Sequence, residues 1–315
     1  MNYLNNTLYK GLIIAMLKKI IPQELIEIIL DNVNLNNLFE IRLRVNSPIV
    51  INVCGQYKEL KNIYTNKTIY ADKRLIDYIV LKATDMSLYC YEDQLRSSFI
   101  TMEGGIRIGV AGEVVFDNER IKTVKNFVGL NIRIPHEVKN CSSSVLKHVV
   151  DEYGVKSSLI ISPPGAGKTT MLRDLSRQMS NFNKILNVLI VDERYELSAC
   201  TNGKICMDVG KYSDIVSGAN KKYCFAEGVR SMKPDVIVTD EIATVEDALA
   251  VENAVLSGVK VIASAHAYNH LELTKKKQFE NLYKNRIFDR FIVLSERLGV
   301  GTIEGVFDCN FNRLQ

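Results

Sequence analysis

The spacing of hydrophobic positions changes character along the chain. Between residues 8 and 31 they recur at helical intervals, with Leu12, Ile13, Met16 and Leu17 on one face and Leu25, Ile28 and Ile29 on another. Pro22 divides this stretch into two predicted helices. From Leu38 to Val45 strict alternation takes over: Phe39, Ile41, Leu43 and Val45 face one way, Glu40, Arg42 and Arg44 the other. That is the pattern of a half-buried strand. Pro48 to Val53 predicts a second strand and Cys54-Gly55 a turn. Helical spacing returns over Asp72 to Thr84, carried by Leu75, Ile76, Ile79 and Val80, and over Ser87 to Arg96. Phe99 to Met102, Gly105 to Val115 and Phe127 to Ile134 read as strands, so the first part of the chain is α+β.

A different rhythm follows. Pro135 to Cys141 reads as a linker, which gives an N-terminal α+β domain over residues 1–138 and a second domain over 139–315. Serines 142 to 144 offer an N-cap to a helix whose stripe is Val145, Leu146, Val149, Val150 and Tyr153, ending at Gly154. Then come short apolar runs, each leading toward helical spacing. Leu159–Ile161 precedes a helix with Met171, Leu172, Leu175 and Met179 on one face. Val188–Val191 precedes a less regular stretch to Tyr212 and a helix up to Met232. Val236–Thr239 precedes a helix from Val245 to Ser257, capped by Thr244 with Asp247 three residues on and stopped by Gly258. Val259–Ala263, a helix to Tyr283 and a strand at Phe291–Leu294 complete the series. All-apolar strands alternating with helices predict a parallel sheet covered on both faces.

Composition narrows the class. With 315 residues, 47% hydrophobic and 24% charged, the chain can bury a sizeable core in two domains. A formal charge of +4, spread along the chain, makes no case for nucleic acid. Seven cysteines, an odd number without paired short spacings, point to reduced thiols in a cytoplasmic setting. No segment reaches the roughly 18 apolar residues of a membrane span. The nearest, Leu12 to Leu30, is interrupted by Lys18, Lys19, Pro22, Gln23 and Glu24, and its apolar core is too short for a signal peptide.

The chemistry gathers at Ser162-Pro163-Pro164-Gly165-Ala166-Gly167-Lys168-Thr169-Thr170, between a predicted strand and a predicted helix. Strand, glycine-containing loop ending in Gly-Lys-Thr, then helix is the layout of a phosphate-binding P-loop. The loop would wrap its backbone N–H groups round a phosphate, which bulky residues at Gly165 and Gly167 would prevent. Lys168 supplies a point charge toward the β- and γ-phosphates, and the Thr169 hydroxyl reaches toward Mg²⁺. ATP and Mg²⁺ are therefore the expected ligands. The strict pattern opens on Gly where this chain has Ser162, which precedes a proline and is biased to extended backbone.

Other strands end in polar residues at what should be the same edge, where ligands of parallel sheets bind. Val188–Val191 runs into Asp192-Glu193-Arg194, Val236–Thr239 into Asp240-Glu241, and Val259–Ala263 into Ser264-Ala265-His266. Asp240 has the position of the acid that holds Mg²⁺. Glu241 or Glu193 would orient and deprotonate the attacking water. His266 is placed to sense the γ-phosphate, or is a buried histidine satisfied by backbone. Arg194 and Arg230 are candidates to stabilise charge on the transferred phosphoryl group. Arg42, Arg44, Arg107 and Arg133 lie on alternating strands, either on a solvated face or reaching a phosphate from a neighbouring domain or subunit. Zinc is not expected: His266 and His270 lack a third ligand, and Cys200 and Cys206 lack a matching pair.

These residues resemble a known superfamily. The order of the P-loop, Val191-Asp192-Glu193-Arg194, Gly228 to Asp235, Val238-Thr239-Asp240-Glu241-Ile242 and Ala263-Ser264-Ala265-His266 is similar to that of the type II/type IV secretion ATPases. Within it, the chain resembles the stage III sporulation protein AA family of endospore-forming bacteria. Glu40-Ile41-Arg42-Leu43-Arg44 and Arg107-Ile108-Gly109-Val110-Ala111-Gly112 extend that resemblance over nearly the whole chain. Ala243 stands where many secretion ATPases have Arg, so no arginine role transfers there. The resemblance implies a RecA/AAA-like ATPase domain behind a smaller α+β domain. It also implies a hexameric ring in the mother-cell cytoplasm, acting on a membrane-embedded channel to the forespore. Nucleotide would lie between the two domains, with first-domain arginines as the groups that reach over. Three readings remain beside a motor: a nucleic-acid-binding P-loop ATPase, a non-hydrolysing nucleotide-sensing scaffold, and a small-molecule kinase.

Overall fold

The computed structural model describes residues 11, 13–117, 120–182, 185–200, 203 and 205–315. The chain divides into two compact units, residues 1–136 with 201–206, and residues 137–200 with 207–315.

In the first unit, helices α1 (13–20) and α2 (Gln23–Asn32) flank Pro22 as the spacing predicts; residues 8–10 and Leu12 lie outside the described residues. A six-stranded antiparallel sheet follows, built from β1 (Leu38–Arg44), β3 (Val50–Val53), β4 (Gln56–Glu59), β6 (Phe99–Thr101), β7 (Arg107–Asp117) and β8 (Arg120–Arg133). Its order is β4-β3-β1-β8-β7-β6. Two short strands, β2 (Ser47–Pro48) and β5 (Tyr70–Ala71), pair separately, and helices α3 (Lys73–Ala83) and α4 (Glu92–Arg96) complete the unit. Asp72 caps α3, accepting from the Leu75 N–H at 2.8 Å.

One expected face is wrong. Alternation places Phe39 with Ile41 and Leu43, yet it is 40% exposed while Leu38 is fully buried. A register shift between Leu38 and Glu40 against β3 inserts a residue, and with a period of two one residue reverses the faces before it.

The second unit enters through α5 (Ser143–Val149), a turn shorter than its stripe predicts. Val150 and Asp151 instead form β9, paired with β10 (Gly154–Val155) in a hairpin, and Tyr153 is left in water. The Asp151 carboxylate accepts the Tyr153 N–H at 3.0 Å, which stabilises the turn in place of another helical turn.

The seven-stranded sheet behind it comprises β11 (Ser158–Ser162), β12 (Val188–Asp192), β13 (Ser213–Ser217), β14 (Val236–Glu241), β15 (Lys260–His266), β16 (Arg290–Ser295) and β17 (Thr302–Asp308), in the order β13-β12-β14-β15-β11-β16-β17. All neighbours are parallel except β16 and β17. Helices α6 (Lys168–Ser180), α7 (Lys221–Met232), α8 (Val245–Leu256), α9 (His270–Thr274) and α10 (Glu280–Lys284) belong to this unit. The edge strand β13 and the antiparallel β17 escape the hydrophobic pattern. The helix ending at Met232 begins only at Lys221, because Ser213–Ser217 pairs with β12.

The sheet is covered on both faces. Leu159 and Ile161 of β11 join a core with Phe225 of α7 and Val251 of α8, whereas Ile160 between them joins one with Val145 of α5 and Leu172 of α6. Alternate residues of one strand thus serve opposite layers. α7 lies close on the sheet: a Cβ on Gly228 would fall 2.4 Å from Leu189 Cδ2.

Asp174 ties the entry segment to α6. Its buried carboxylate accepts from the N–H groups of Asn140 and Ser142, the Ser142 hydroxyl, Arg177 and Gln178. Burial alone would raise its pKa, but these donors hold it at about 2. Asp174→Asn should therefore cost about 2 kcal/mol at pH 7 by denaturant titration. The deficit should close as pH falls from about 4 toward 2, where the native carboxylate also protonates. An equal deficit at every pH would contradict this account.

Candidate nucleotide-binding site

The site is built on strand register. In the β11–β15 pairing Ser162, which opens the glycine loop, stands opposite His266. On the other side of β15 the regular ladder with β14 slips between Val238 and Glu241, so that Glu241 meets Ser264. Three strand ends therefore deliver Ser162, His266 and Glu241 to one rim, and β12 brings Asp192 and Glu193 to the same end of the sheet.

Between β11 and α6 the loop turns through Gly165 (φ 85°) and Gly167 (φ 89°), a region where a side chain is strained. Gly167 is the N-cap of α6, so the loop hands directly to a helix N-terminus. Lys168, the first residue of that helix, folds back over the loop. The three N–H groups of its buried ammonium are shared among four acceptors: the Ser162 carbonyl (3.1 Å), the Pro163 carbonyl (3.0 Å), the Ser162 hydroxyl (3.2 Å) and His266 Nδ1 (2.8 Å). Burial pulls its pKa down to about 8, against the opposing pull of Glu241.

His266 continues the chain of contacts. With Nδ1 accepting from Lys168, its Nε2 faces Glu241 Oε2 at 3.3 Å. Lys276 donates to the His266 carbonyl and fixes the backbone there. Lys168, His266 and Glu241 thus form one continuous line, and Arg194 lies at its far end, 4.0 Å from Glu241 Oε2.

A second cluster lies beside the first. Lys221, almost wholly buried, places its ammonium 2.6 Å from Asp240 Oδ1 and 2.7 Å from Glu193 Oε2. Burial works against the charge on Lys221, but the two carboxylates outweigh it and its pKa is raised. Burial pushes Asp240 up to about 6 even with Lys221 beside it. Apart from that ion pair, neither carboxylate oxygen of Asp240 has a hydrogen-bond partner. Asp240 is thus a buried carboxylate served by the Lys221 ammonium alone, the kind of hard oxygen donor that a divalent cation takes.

The residues singled out from sequence fare differently. Ser162, Pro164, Gly165, Ala166, Gly167, Lys168, Thr169 and Thr170 form the loop and the first turn of α6. Glu241, His266 and Lys168 are brought into contact; Glu193 and Asp240 are joined through Lys221. Asp192 is structural: its carboxylate accepts from the N–H groups of Glu196, Leu197 and Ser198 and from the Ser198 hydroxyl, all within 3.0 Å, and thereby folds the loop that carries Glu193. Arg230 is not brought to the rim. It is exposed, pairs with Glu227 on its own helix, and stands nine residues beyond Lys221, about 13 Å down α7 toward the opposite edge.

Lys221 is the residue that the sequence reading missed. The available signal is a lysine in the first turn of a helix, where the dipole disfavours a cation unless acids compensate. In the first unit, Arg42 and Arg133 converge on Glu40 (3.0 and 3.8 Å), and Arg107, in register with Arg133, lies over the Phe99 ring at 3.9 Å. Arg44, beyond Arg42 on β1, is opposite Gly129. Among the described residues no group of three or more His, Cys, Asp or Glu side chains could hold a metal on its own, and no helix is long and apolar enough to cross a membrane.

The parallel sheet, glycine loop and acid-tipped strands define the class as a RecA-like P-loop fold of the kind found in secretion ATPases. By fold the chain is similar to the ATPase DotB of Legionella pneumophila, with a TM-score of 0.55 and 14% identity over 87% of this chain and 76% of that one. It is also similar to the pilus retraction motor PilT, solved with bound ADP, with a TM-score of 0.58 and 15% identity over 84% and 76% of the two chains. The family model described as sporulation stage III, protein AA, matches residues 12–314, and the chain belongs to that family. It is 33% identical over 280 residues to stage III sporulation protein AA of Bacillus subtilis (strain 168), covering 87% of this chain and 88% of that protein.

The Glu193–Lys221–Asp240 cluster yields a direct test. Lys221→Met leaves the buried Asp240 without a cation, and should cost about 3 kcal/mol of stability in urea titration, whereas Lys221→Arg should recover part of it. A Met variant as stable as the wild type would show that the ammonium does not hold the carboxylates.

Proposed function

We propose that this protein binds ATP with Mg²⁺ in the Ser162–Thr170 loop and hydrolyses it, as a motor of the secretion-ATPase type serving sporulation. The observation that carries this reading is the unbroken line from Lys168 through His266 to Glu241 at the mouth of the loop. It joins a group that binds phosphate to a group that can take a proton. That PilT was solved with ADP supports the choice of ligand.

In this reading Lys168 exchanges one of its loop acceptors for phosphate oxygens, and the α6 N-terminus adds its dipole. Glu241 accepts a proton from the attacking water as its oxygen bonds to the γ-phosphorus and the bond to the ADP oxygen breaks. His266, hydrogen-bonded to Lys168 and facing Glu241, holds the base in line with the phosphate and changes partner when the γ-phosphate leaves. Glu193, held by Lys221, keeps Asp240 company rather than acting as the base. Thr169 and Asp240 would hold Mg²⁺, which when bound neutralises phosphate charge. Arg194 stands close enough to Glu241 to meet the developing negative charge. Because Arg230 lies at the other end of α7, its use falls to a neighbouring subunit in the ring. A homohexamer in the mother-cell cytoplasm, acting through membrane-embedded sporulation channel proteins, is the assembly this reading implies.

Lys168→Ala should abolish ATP binding in calorimetry. Glu241→Gln should bind ATP normally and turn it over at least a hundredfold more slowly, as expected for losing a general base; near-normal turnover would move the base to Glu193. A pH profile tests the buried lysine. Since its pKa is lowered to about 8, ATP affinity should be flat below pH 7 and fall by up to about tenfold per pH unit above 8, as the free protein loses the charge the phosphates need. Lys168→Arg, which stays charged, should bind more weakly but without that slope.

A further inference from the structure

On the side of β11 away from His266, the β16–β17 turn stands against the phosphate loop. A Cβ on Gly167 would lie 3.1 Å from Val300 Cγ1 and 3.5 Å from the Gly301 backbone, and a Cβ on Gly165 would lie 3.0 Å from Glu296 Oε1. We infer that this turn, residues 296–301, is the nucleoside half of the site: Glu296 accepts from the ribose hydroxyls, and Leu298 with Val300 forms the surface that the base lies on. The inference rests on the nucleotide reading above and extends it.

Topology sets the direction. The line Lys168–His266–Glu241 leads from β11 across β15 to β14, so the reacting end of a triphosphate points that way. The remainder of the nucleotide must leave the cradle on the opposite side, over the carboxyl end of β16, which is where Glu296 begins.

What the turn displays matches a nucleoside and not a phosphate. The Glu296 carboxylate has no hydrogen-bond or ion-pair partner among the described residues, its carbonyl alone accepting from the Gly299 N–H, and a lone carboxylate beside an anion cradle repels phosphate. It can only accept, and vicinal ribose hydroxyls are donors of the right kind. Leu298 and Val300 are 78% and 70% exposed, an apolar pair with no core to serve, suited to the flat face of a base.

The turn is also held in shape before any ligand arrives. Arg297 grips Glu304 through two bonds (3.0 and 3.3 Å). The Thr302 hydroxyl donates to the Gly299 carbonyl at 2.7 Å and accepts from the Leu298 N–H at 3.3 Å. A preformed wall spends little ordering entropy on binding.

The test is calorimetric titration of the full chain with ATP, 2′,3′-dideoxy-ATP and inorganic tripolyphosphate. In Leu298→Ser/Val300→Ser, ATP affinity should fall about tenfold, the worth of one buried apolar contact, while tripolyphosphate stays within about twofold of wild type. In Glu296→Gln the preference for ATP over the dideoxy analogue should shrink to less than about twofold, with tripolyphosphate binding unchanged or tighter. Tripolyphosphate binding itself reports that the cradle of each variant is folded. Parallel losses for ATP and tripolyphosphate, or an unchanged ATP affinity in both variants, would overturn the role of the turn while leaving the phosphate loop intact. A wild type that binds neither ligand would instead overturn the nucleotide reading, and this inference with it.

Discussion

A buried ammonium group is the constraint around which the second unit is arranged. Taking a lysine out of water costs several kcal/mol unless acceptors surround it, and Lys168 has four. Two are carbonyls of the loop that precedes it, so the lysine and the loop fix each other. The fourth, His266, is supplied by a different strand and arrives only because β11 and β15 pair with Ser162 opposite His266. A shift of that pairing by a single residue would turn His266 to the other face of the sheet and leave Lys168 with loop carbonyls alone.

The same logic explains why the rim holds so much charge without repelling itself apart. Asp192, Glu193, Asp240 and Glu241 come from two strands that are direct neighbours. Each is met differently: Asp192 by backbone amides, Glu193 and Asp240 by the Lys221 ammonium, and Glu241 by the facing His266 ring and the more distant Arg194. Asp240 is the least well served, which is why burial drives it to about 6.

The two units use opposite means to display polar side chains. In the second, helices cover both faces of a parallel sheet, so polar groups can gather only at strand ends and loops. In the first, an antiparallel sheet keeps one face outside its core, and there Glu40 organises Arg42, Arg133 and the Tyr57 hydroxyl. Arg42 and Arg133 are thus paired within their own sheet.

Much of this was legible in the residues. Short, mostly apolar runs of three to five residues, each followed by helical spacing, are the mark of buried parallel strands, so β11, β12, β14 and β15 were readable, as was the Thr244–Asp247 capping box of α8, where both reciprocal bonds are present. The loop from Ser162 to Thr170 was readable because its chemistry is local, carried by consecutive backbone groups. Edge strands β13 and β17, the Val150–Val155 hairpin and the bulge that turns Phe39 outward were not, since each depends on a pairing partner distant in sequence or on a contest between two nearly equal local structures. Which acids share a cation was likewise decided by the fold. Nothing in Lys221 names Glu193 and Asp240, and nothing in Arg230 says that a helix carries it away from the rim. Local order of residues determined the phosphate cradle; strand register and helix direction, which act across long stretches of chain, decided what faces it.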